Sequence, residues 1–340
     1  MNKELIVLGI ESSCDETSAA ILKGSKVLSN IIANQSIHEK YGGVVPELAS
    51  RAHQQNIIPV VDVAIKSAKI NKSDIDVIAY TKGPGLLGSL LVGSSFAKSF
   101  SFSLNKPLVS VNHMQAHILA HFIEHKEQKI PEFPFLCLTV SGGHTQIVKV
   151  DNYNEMEIIG TTLDDAAGEA FDKSAKVLGL KYPGGPLIDK YAKNGDINAF
   201  VFGKPKIDKL NFSFSGLKTS IMNNINNAVQ KDKNFIKNNL NDLCASIQES
   251  IVSILIDKLE KASELTNINN IAIAGGVSAN SYLRKKLLEL GKKNSYNIYI
   301  PKFEYCTDNA AMIAIAGKYK YLYNDIVTDY SESASARLTF

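Results

Sequence analysis

The sequence predicts an α/β protein of two lobes, each built on a mixed sheet. Three short strands joined by tight connections, followed by alternating helices and strands, occur twice along the chain. The 340 residues are enough for two domains of ordinary size. Hydrophobic residues make up 45% of the sequence, which is enough to give each lobe a core.

The first occurrence of this pattern begins at the N-terminal end with three predicted strands, at 5–10, 18–23 and 26–33. A helix is predicted over about 46–69, and Pro46 suits its first turn because that position needs no N–H donor. The remaining predicted elements of the first half are a strand at 76–80, a helix at 86–104 and a strand at 107–111.

The second occurrence repeats this order with additional helices. Its predicted strands are at 135–140, 145–150, 156–160, 271–274 and 297–300, and its predicted helices are at 165–178, 243–264, 279–290 and 309–321. We therefore predict a first lobe over 1–112, a second over 113–325 and a tail over 326–340, unless the last helix packs back on the first lobe. Ligands of open α/β sheets bind at the carboxyl ends of strands, so we expect the active site in the cleft between the lobes.

Composition excludes several classes of protein. The N-terminal residues show no apolar stretch followed by a small-residue cleavage site, and no run of about twenty apolar residues could span a bilayer. The cysteines are far apart and form no CxxC pair, which argues against a zinc ribbon and a disulfide scaffold; they are Cys14, Cys137, Cys244 and Cys306. These observations predict a cytoplasmic protein without membrane contact.

Positive charge is concentrated in one stretch, although the net charge is only +3. Between 201 and 240, Asp208 and Asp232 oppose seven lysines, at 204, 206, 209, 218, 231, 233 and 237. Such an excess can follow a nucleic-acid backbone, and it can equally be a solvated surface.

Small polar residues collect in the predicted turn after the first strand of each half, at 11–17 (ESSCDET) and 141–145 (SGGHT). Glycines let backbone amides approach a phosphate closely, and hydroxyl groups can donate to its oxygens. A third turn, at 274–280, follows an apolar strand and precedes a helix, a position that suits a nucleotide contact. The alternative is a purely structural turn in which Ser278 is the N-cap of the helix. Together the three turns predict a nucleotide site.

His113 and His117 lie four residues apart in a short helix predicted directly after the strand at 107–111. Residues at this spacing share one helix face about 6 Å apart, so two imidazoles can chelate one metal ion. His121 and His125 continue the series, but each step of four residues drifts by roughly 40° around the helix, so we expect both on the surface.

A third metal ligand is expected from elsewhere in the chain. Asp308 follows the last predicted strand and is a candidate, with N-capping of the last helix as its plainer role. Met114 stands where a zinc protease of the HExxH type has its glutamate, which argues against peptide hydrolysis.

Several long motifs follow one another along nearly the whole chain. They are 9–17 (GIESSCDET), 41–51 (YGGVVPELASR), 83–86 (GPGL), 113–117 (HMQAH), 140–145 (VSGGHT), 164–173 (DDAAGEAFDK), 182–186 (YPGGP), 212–219 (FSFSGLKT), 275–280 (GGVSAN) and 306–309 (CTDN). In these motifs and their order the chain resembles the universal family of tRNA threonylcarbamoyltransferase subunits, TsaD in bacteria, once called O-sialoglycoprotein endopeptidases.

The resemblance implies the duplicated actin-like, sugar-kinase-like (ribonuclease H-like) ATPase fold, in agreement with the repeated pattern. It implies one Fe²⁺ per chain, with Zn²⁺ as the alternative, held by His113, His117 and Asp308. It also implies ATP, ADP or threonylcarbamoyl-AMP in the cleft, in contact with Thr139, Val140, Ser141, Gly142, Gly143, Asp172, Gly185, Asp189 and Asn280.

The resemblance further implies transfer of a threonylcarbamoyl group to N6 of the adenosine beside the anticodon, in tRNAs that read codons beginning with A. The implied partners are tRNA, a TsaB-like paralogue that forms a heterodimer, a TsaE-like ATPase and a separate synthase that supplies threonylcarbamoyl-AMP. The archaeal tyrosine metal ligand has no evident counterpart in this sequence, which favours the bacterial branch.

The proposed reaction needs a base, because the lone pair of the adenosine amine is delocalised into the purine. Asp15 and Glu16 in the first polar turn are the candidates, with hydrogen bonds to turn amides as their plainer role. Asp15 could instead act through a metal ion or a water molecule. Two other functions stay open: a metalloprotease of the HxxxH type, and a non-catalytic ATP-binding clamp in an assembly, because the fold alone does not determine function.

Overall fold

A computed structural model of the chain describes residues 4–35, 38, 41, 43–126, 129–205 and 207–340. Its strands are β1 (Ile6–Glu11), β2 (Thr17–Lys23), β3 (Lys26–Ala33), β4 (Val77–Gly83), β5 (Leu108–Asn112), β6 (Phe135–Val140), β7 (Thr145–Val150), β8 (Met156–Thr161), β9 (Asn270–Ala274) and β10 (Asn297–Tyr299). Its α-helices are α1 (Pro46–Ser67), α2 (Leu87–Leu104), α3 (His113–Leu119), α4 (Ala167–Val177), α5 (Gly184–Ala192), α6 (Ser215–Lys231), α7 (Phe235–Thr266), α8 (Ser281–Asn294) and α9 (Ala310–Leu322).

The chain separates into two compact units. Unit 1 comprises Met1–Ile130, Asp151–Met156 and Pro301–Phe340, and unit 2 comprises Pro131–Val150 and Glu157–Ile300. This division differs from the predicted ranges 1–112, 113–325 and 326–340, because α3 and the whole chain after residue 300 lie in unit 1.

The sheet of unit 1 has the order β3-β2-β1-β4-β5. β1, β2 and β3 pair in antiparallel fashion, whereas β1, β4 and β5 are parallel. The carboxyl ends of the three parallel strands therefore lie at one edge of the sheet, which is the edge where ligands of such sheets bind.

Helix α9 belongs to unit 1 because it packs directly on β1 and β4. Two glycines permit this close approach: a Cβ at Gly9 would lie 2.3 Å from the carbonyl oxygen of Ala310, and one at Gly317 would lie 2.3 Å from the Cβ of Ala79. The helix is buried from Ala310 to Gly317, so the chain passes through all of unit 2 before it completes the core of unit 1.

The sheet of unit 2 has the order β10-β9-β6-β7-β8. β6 pairs antiparallel with β7 and parallel with β9, which in turn is parallel to β10. Read from β8 to β10, the order repeats that of unit 1 from β3 to β5. The predicted duplication is therefore confirmed.

The helices of unit 2 differ from the prediction in two respects. α5 and α6 are additional to the predicted elements. α7 begins at Phe235, eight residues before the predicted start at 243, and its backbone leaves helical geometry at Asn239. The predicted helix corresponds to the buried stretch after this kink, where apolar residues line the core.

The last stretch of unit 1, residues 326–340, contains turns but no helix or strand, and hydrogen bonds join it to β4 and β5. The amide of Val327 donates to the carbonyl of Leu108 (2.8 Å), and that of Ser335 donates to the carbonyl of Lys82 (2.9 Å). Near the end, the carbonyl of Thr339 accepts from Asn112 Nδ2 at 3.1 Å. The segment is thereby fixed to β4 and β5. In the described part of the chain, no helix is long and apolar enough to cross a membrane.

Candidate metal centre and nucleotide pocket

The two histidines of the HxxxH motif lie at the start of α3, which begins directly where β5 ends. Asn112 caps this helix, since its Oδ1 accepts from the amides of Met114 (2.9 Å) and Gln115 (3.3 Å). His113 Nε2 lies 3.4 Å and His117 Nε2 lies 3.1 Å from Asp308 Oδ1. The predicted metal ligands thus converge, with their candidate ligand atoms all within 4.8 Å of one another.

Asp308 is not the N-cap of the last helix. That role belongs to Asn309, whose Oδ1 accepts from the amide of Met312 at 3.1 Å. The alternative role considered for Asp308 is therefore wrong, and its carboxylate is left to face the two imidazoles.

The Nδ1 atom of His113 faces a buried carboxylate on β1. It lies 3.1 Å from Glu11 Oε2 and 3.2 Å from Ser13 Oγ. Glu11 is fully buried, and its carboxylate also accepts from Thr81 Oγ1 (2.6 Å) and from the amide of Ser13. Because a carboxylate can only accept, Nδ1 of His113 carries a proton and Nε2 is the ring atom that faces Asp308.

The charged groups of this cluster shift one another's pKa values. Burial alone would raise the pKa of Glu11 and Asp308, but the charge of His113 and its hydrogen bonds lower the pKa of both carboxyl groups, that of Asp308 far below its usual range. Burial would lower the pKa of His113, but Asp308 and Glu11 raise it well above its ordinary value. The cluster is therefore an ionised arrangement, buried except for the half-buried Asp308, that favours a positive charge between the carboxylates.

The residues fit a metal ion. Imidazole nitrogens and carboxylate oxygens are ligands that bind both Fe²⁺ and Zn²⁺. A histidine that donates its other ring N–H to a carboxylate is the usual arrangement around a bound metal. Met114 is buried with 2% exposure and supplies no base, which fits the prediction against a zinc protease.

His121 does not lie on the surface as predicted. α3 ends at Leu119, and the chain continues in a short 3-10 helix, Ala120–Phe122, whose tighter winding ends the four-residue repeat. His121 is fully buried there, while His125 is half-buried beyond it. Among the described residues, neither histidine belongs to the group that could hold a metal.

The polar turn after β1 carries the two candidate bases and is held firmly from α1 and α2. His53 Nε2 donates to the carbonyl of Cys14 (3.0 Å), which also accepts from Ser89 Oγ at 3.2 Å. His53 Nδ1 accepts from Thr17 Oγ1 at 2.7 Å, and burial lowers the pKa of His53, so its ring is neutral. These contacts fix the backbone on both sides of Asp15 and Glu16.

Asp15 and Glu16 are both half-buried in this turn. Burial, followed by repulsion from Asp308 and Asp15, raises the pKa of Glu16 to about 9. A carboxyl group with this pKa is protonated at neutral pH and donates a proton rather than accepting one. A cation bound at Asp308 would offset part of the repulsion.

Unit 2 contains a cavity of about 250 Å³, near the lower end of the range for small-molecule sites, which begins at roughly 300 Å³. It is lined by Gly142, Gly168, Phe171, Asp172, Pro183, Gly185, Pro186, Asp189, Gly276, Val277, Ala279 and Asn280. The glycine turns after β6 and β9 meet here: a Cβ at Gly275 would lie 2.5 Å from the carbonyl oxygen of Val140, and the φ of Gly275 is +85°. Only glycine allows this approach.

Some of the predicted nucleotide contacts line the cavity directly, namely Gly142, Asp172, Gly185, Asp189 and Asn280. Thr139, Val140, Ser141 and Gly143 do not line it. Thr139 and Val140 are fully buried in β6, where they support the turn. A Cβ at Gly142 or Gly143 would meet no atom within 4 Å, so the backbone of this turn is open.

Hydrogen bonds fix the polar side chains of the cavity. Asp172 Oδ1 accepts from the amides of Gly184 (2.8 Å) and Gly185 (3.2 Å), which places α5 against α4. Asn280 caps α8 through the amide of Leu283 (2.9 Å), so the interpretation of Ser278 as the cap is wrong. The lining residues Phe171, Pro183 and Val277 lie within quoted motifs, but only the folded chain shows that they meet.

The repeated sheet order and the glycine-lined cavity define the class of the protein, the duplicated actin-like ATPase fold. Solved structures support this class. The activator of 2-hydroxyisocaproyl-CoA dehydratase from Clostridium difficile, with bound ADPNP, is 13% identical at a TM-score of 0.50 over 96% of this chain and 99% of its own. HypF from T. kodakarensis is 13% identical at a TM-score of 0.61 over 97% of this chain, which spans about half, 50%, of HypF.

Within this class, the chain belongs to the TsaD family, described as tRNA N6-adenosine threonylcarbamoyltransferase, which matches residues 26–315. A relative of that name from Christiangramia forsetii is 60% identical over 339 residues, 100% of this chain and 99% of its own. Another, from Riemerella anatipestifer, is 59% identical over 98% of both chains. The family predicted from the motifs is therefore confirmed.

Proposed function

We propose that the chain transfers the threonylcarbamoyl group from threonylcarbamoyl-AMP to N6 of the adenosine adjacent to the anticodon, in tRNAs that read codons beginning with A. The observation that carries this proposal is the 60% identity, over the full chain, to a relative named tRNA N6-adenosine threonylcarbamoyltransferase. The amine nitrogen bonds to the carbamoyl carbon, the bond from that carbon to the phosphate oxygen breaks, and AMP leaves. With tRNA as the substrate, we assign the protein to the cytoplasm.

The cavity of unit 2 is the proposed site for the AMP part of the substrate, and for ATP or ADP. Its proline, valine and phenylalanine side chains suit the faces of a purine. The open backbone turn at Gly142 and Gly143 offers amides to a phosphate without a side chain in the way. Asp172 and Asn280, each fixed by backbone hydrogen bonds, supply polar contacts of defined orientation.

In unit 1, His113, His117 and Asp308 are the proposed ligands of one Fe²⁺ or Zn²⁺ ion. When bound, this ion would supply Lewis-acid chemistry. The chain's own part is to orient the ligands: Asn112 fixes the first turn of α3, and Asn309 caps α9 so that Asp308 stays directed at the imidazoles.

Asp15 and Glu16 are the proposed groups for moving the amine proton. Repulsion from Asp308 contributes to the raised pKa of Glu16, and a cation at Asp308 would reduce that repulsion, so both carboxyl groups are proposed as candidates for the base. His53 and Ser89 hold the carbonyl of Cys14 and thereby fix the turn on which both carboxyl groups stand.

Reconstitution tests the activity and its partners. Purified chain, threonylcarbamoyl-AMP and unmodified tRNA, supplemented with a TsaB-like paralogue, a TsaE-like ATPase and ATP, should give repeated turnovers, measured by mass spectrometry of the digested tRNA. Little transfer is expected from the chain alone. Absence of product from the complete mixture contradicts the proposed reaction, whereas full turnover by the chain alone contradicts only the need for partners.

Elemental analysis tests the metal ligands. We expect one metal ion per chain in the wild type, and loss of that ion in His117→Ala, because His117 Nε2 is one of only three proposed ligand atoms. His125→Ala, which alters a half-buried histidine outside the group, is the matched control and should keep its metal. Equal metal content in the two variants would refute the assignment.

A further inference from the structure

We propose that Glu11 is a positioning residue of the metal centre: it holds the proton of His113 on Nδ1, so that Nε2 is the nitrogen offered to the ion. The inference rests on the proposed metal site and adds a residue outside its three ligands. Glu11 lies at the end of β1, and about a hundred positions of sequence separate it from His113, so only the fold brings the two together.

Both oxygens of the Glu11 carboxylate accept hydrogen bonds from identified donors. Oε1 accepts from the amide of Ser13, a donor that cannot change its role. Oε2 accepts from Thr81 Oγ1 at 2.6 Å and from His113 Nδ1 at 3.1 Å. Every partner is a donor, so the imidazole proton must point at the carboxylate.

A fully buried carboxylate destabilises a fold unless it is paired and hydrogen-bonded. An apolar side chain of similar size at the end of β1 would avoid that penalty, so its presence calls for a local partner. The only charged group that the described residues place against it is His113. This is the arrangement by which outer carboxylates orient histidine ligands and make them more basic.

The second histidine lacks such support. His117 Nδ1 is buried and has no hydrogen-bond partner among the described residues. Of the two histidine ligands, only His113 has a carboxylate at its second ring nitrogen among the described residues.

The variant Glu11→Gln tests the proposal because it keeps the shape of the side chain. Its amide oxygen must take the Oε1 position, since the Ser13 amide can only donate. Its NH₂ group then faces Thr81, whose hydroxyl can turn to accept, and His113 Nδ1, where a donor in place of the carboxylate disfavours a proton. The His113 proton is then favoured on Nε2, and the ion must displace it to bind that nitrogen.

We expect Glu11→Gln to bind Zn²⁺ about 10- to 100-fold more weakly than wild type in a chelator competition. Thr81→Val removes one neutral partner but keeps the carboxylate, so its affinity should fall much less. Glu47→Gln, on the exposed face of α1, is the matched surface control and should match wild type. Thermal unfolding of each metal-free variant reports whether the fold is intact.

The outcomes separate this inference from the proposed metal site. If wild-type protein binds no Zn²⁺ or Fe²⁺, the metal site fails and this inference fails with it. If wild type binds the ion and a folded Glu11→Gln binds it equally well, only the role of Glu11 is overturned. Should Glu11→Gln not fold, ¹⁵N NMR of the histidines in Zn²⁺-loaded wild type decides: a proton on His113 Nδ1 supports the proposal, and a metal-bound Nδ1 overturns it.

Discussion

Asp165 is a carboxylate whose two oxygens are each held by a different lysine. Lys173 Nζ lies 2.7 Å from Oδ1, and Lys218 Nζ lies 2.7 Å from Oδ2. Burial would raise the pKa of Asp165, but these two lysines lower it to about 2. The bonds connect the start of α4 with α6, one of the two helices that the sequence did not predict.

Asp165→Asn should therefore reduce the free energy of unfolding at neutral pH. The pKa of Asp165 is about 2 in the folded chain and near 3.8 in the unfolded chain. The stabilisation is present above the unfolded value and is lost as the pH falls toward 2, so the difference between wild type and variant should shrink over that window. Its size at neutral pH is on the order of 2 kcal/mol.

Chemical denaturation between pH 2 and pH 7 measures this difference. Asp62→Asn, which breaks an exposed pair with Lys66 on α1, is the control and should change stability by less than about 1 kcal/mol. A difference for Asp165→Asn that stays constant across the pH range contradicts the argument.

Single residues also show how far sequence reasoning reaches. His113, His117 and Asp308 could be predicted because two of them share a helical spacing and the third belongs to a motif. Glu11 was visible as the first residue of a polar turn, but its role depends on the pairing of β1 with β4 and on the position of β5. Spacing along the chain carries no information about such long-range neighbours.

Helices show a different limit of prediction. The strands were predicted well because short apolar runs bounded by turns mark them clearly. α5 and α6 were not, since each has few buried residues: α6 buries Leu217, Ile221 and Ile225 along one narrow stripe among asparagines and lysines. Such a stripe is buried only because other helices pack against it, and in unit 2 these helices are α4 and α7. The sequence of α6 alone does not show these neighbours.

The contact of α9 with β1 gives a prediction at the scale of elements. Gly9→Ala should destabilise unit 1 by roughly 1–3 kcal/mol or more, because its Cβ would lie 2.3 Å from the Ala310 carbonyl oxygen and 2.8 Å from Ala314 Cβ. Backbone and a short side chain cannot move aside as a flexible chain end could. Thermal or urea unfolding measures the effect.

Gly203→Ala is the matched control, since a Cβ there meets nothing closer than Ser220 Oγ at 3.5 Å. It should leave stability unchanged to within about 0.5 kcal/mol. Equal stability of the two variants would show that α9 lies farther from β1 than the described contact.

At the scale of the whole molecule, the proposed substrate is a polyanion, and the net charge of +3 does not account for its binding. The lysine-rich stretch between 201 and 240 concentrates positive charge locally. Lys204 and Lys209 are exposed, and Lys258 of α7 donates to the carbonyls of Ile207 (2.6 Å) and Lys209 (2.7 Å). Lys206 lies outside the described residues.

We expect replacement of Lys204, Lys206 and Lys209 together by Gln to weaken tRNA binding in the assembled complex. The slope of log affinity against log salt should flatten by about 0.7–0.9 for each lysine that contacts a phosphate. Metal content and nucleotide binding should not change, because none of the three lysines belongs to either proposed site.

Filter binding across a salt series measures the slope. A second triple variant, with Gln at Lys66, Lys69 and Lys72 of unit 1, removes the same charge elsewhere and should keep the wild-type slope. If both triple variants behave like wild type, the stretch is a solvated surface. If both flatten the slope equally, the effect is one of total charge.

The division of unit 1 into three stretches of chain has a consequence for biosynthesis. The ribosome makes the strands of unit 1 first and then all of unit 2, and only afterwards Pro301–Phe340, which carries α9 and Asp308. Until then the nascent chain leaves the surfaces of β1 and β4 at Gly9 and Ala79 uncovered, and apolar surface of this kind attracts chaperones. Unit 2 can therefore fold before unit 1, and the two histidines lack Asp308 until Pro301–Phe340 has been synthesised.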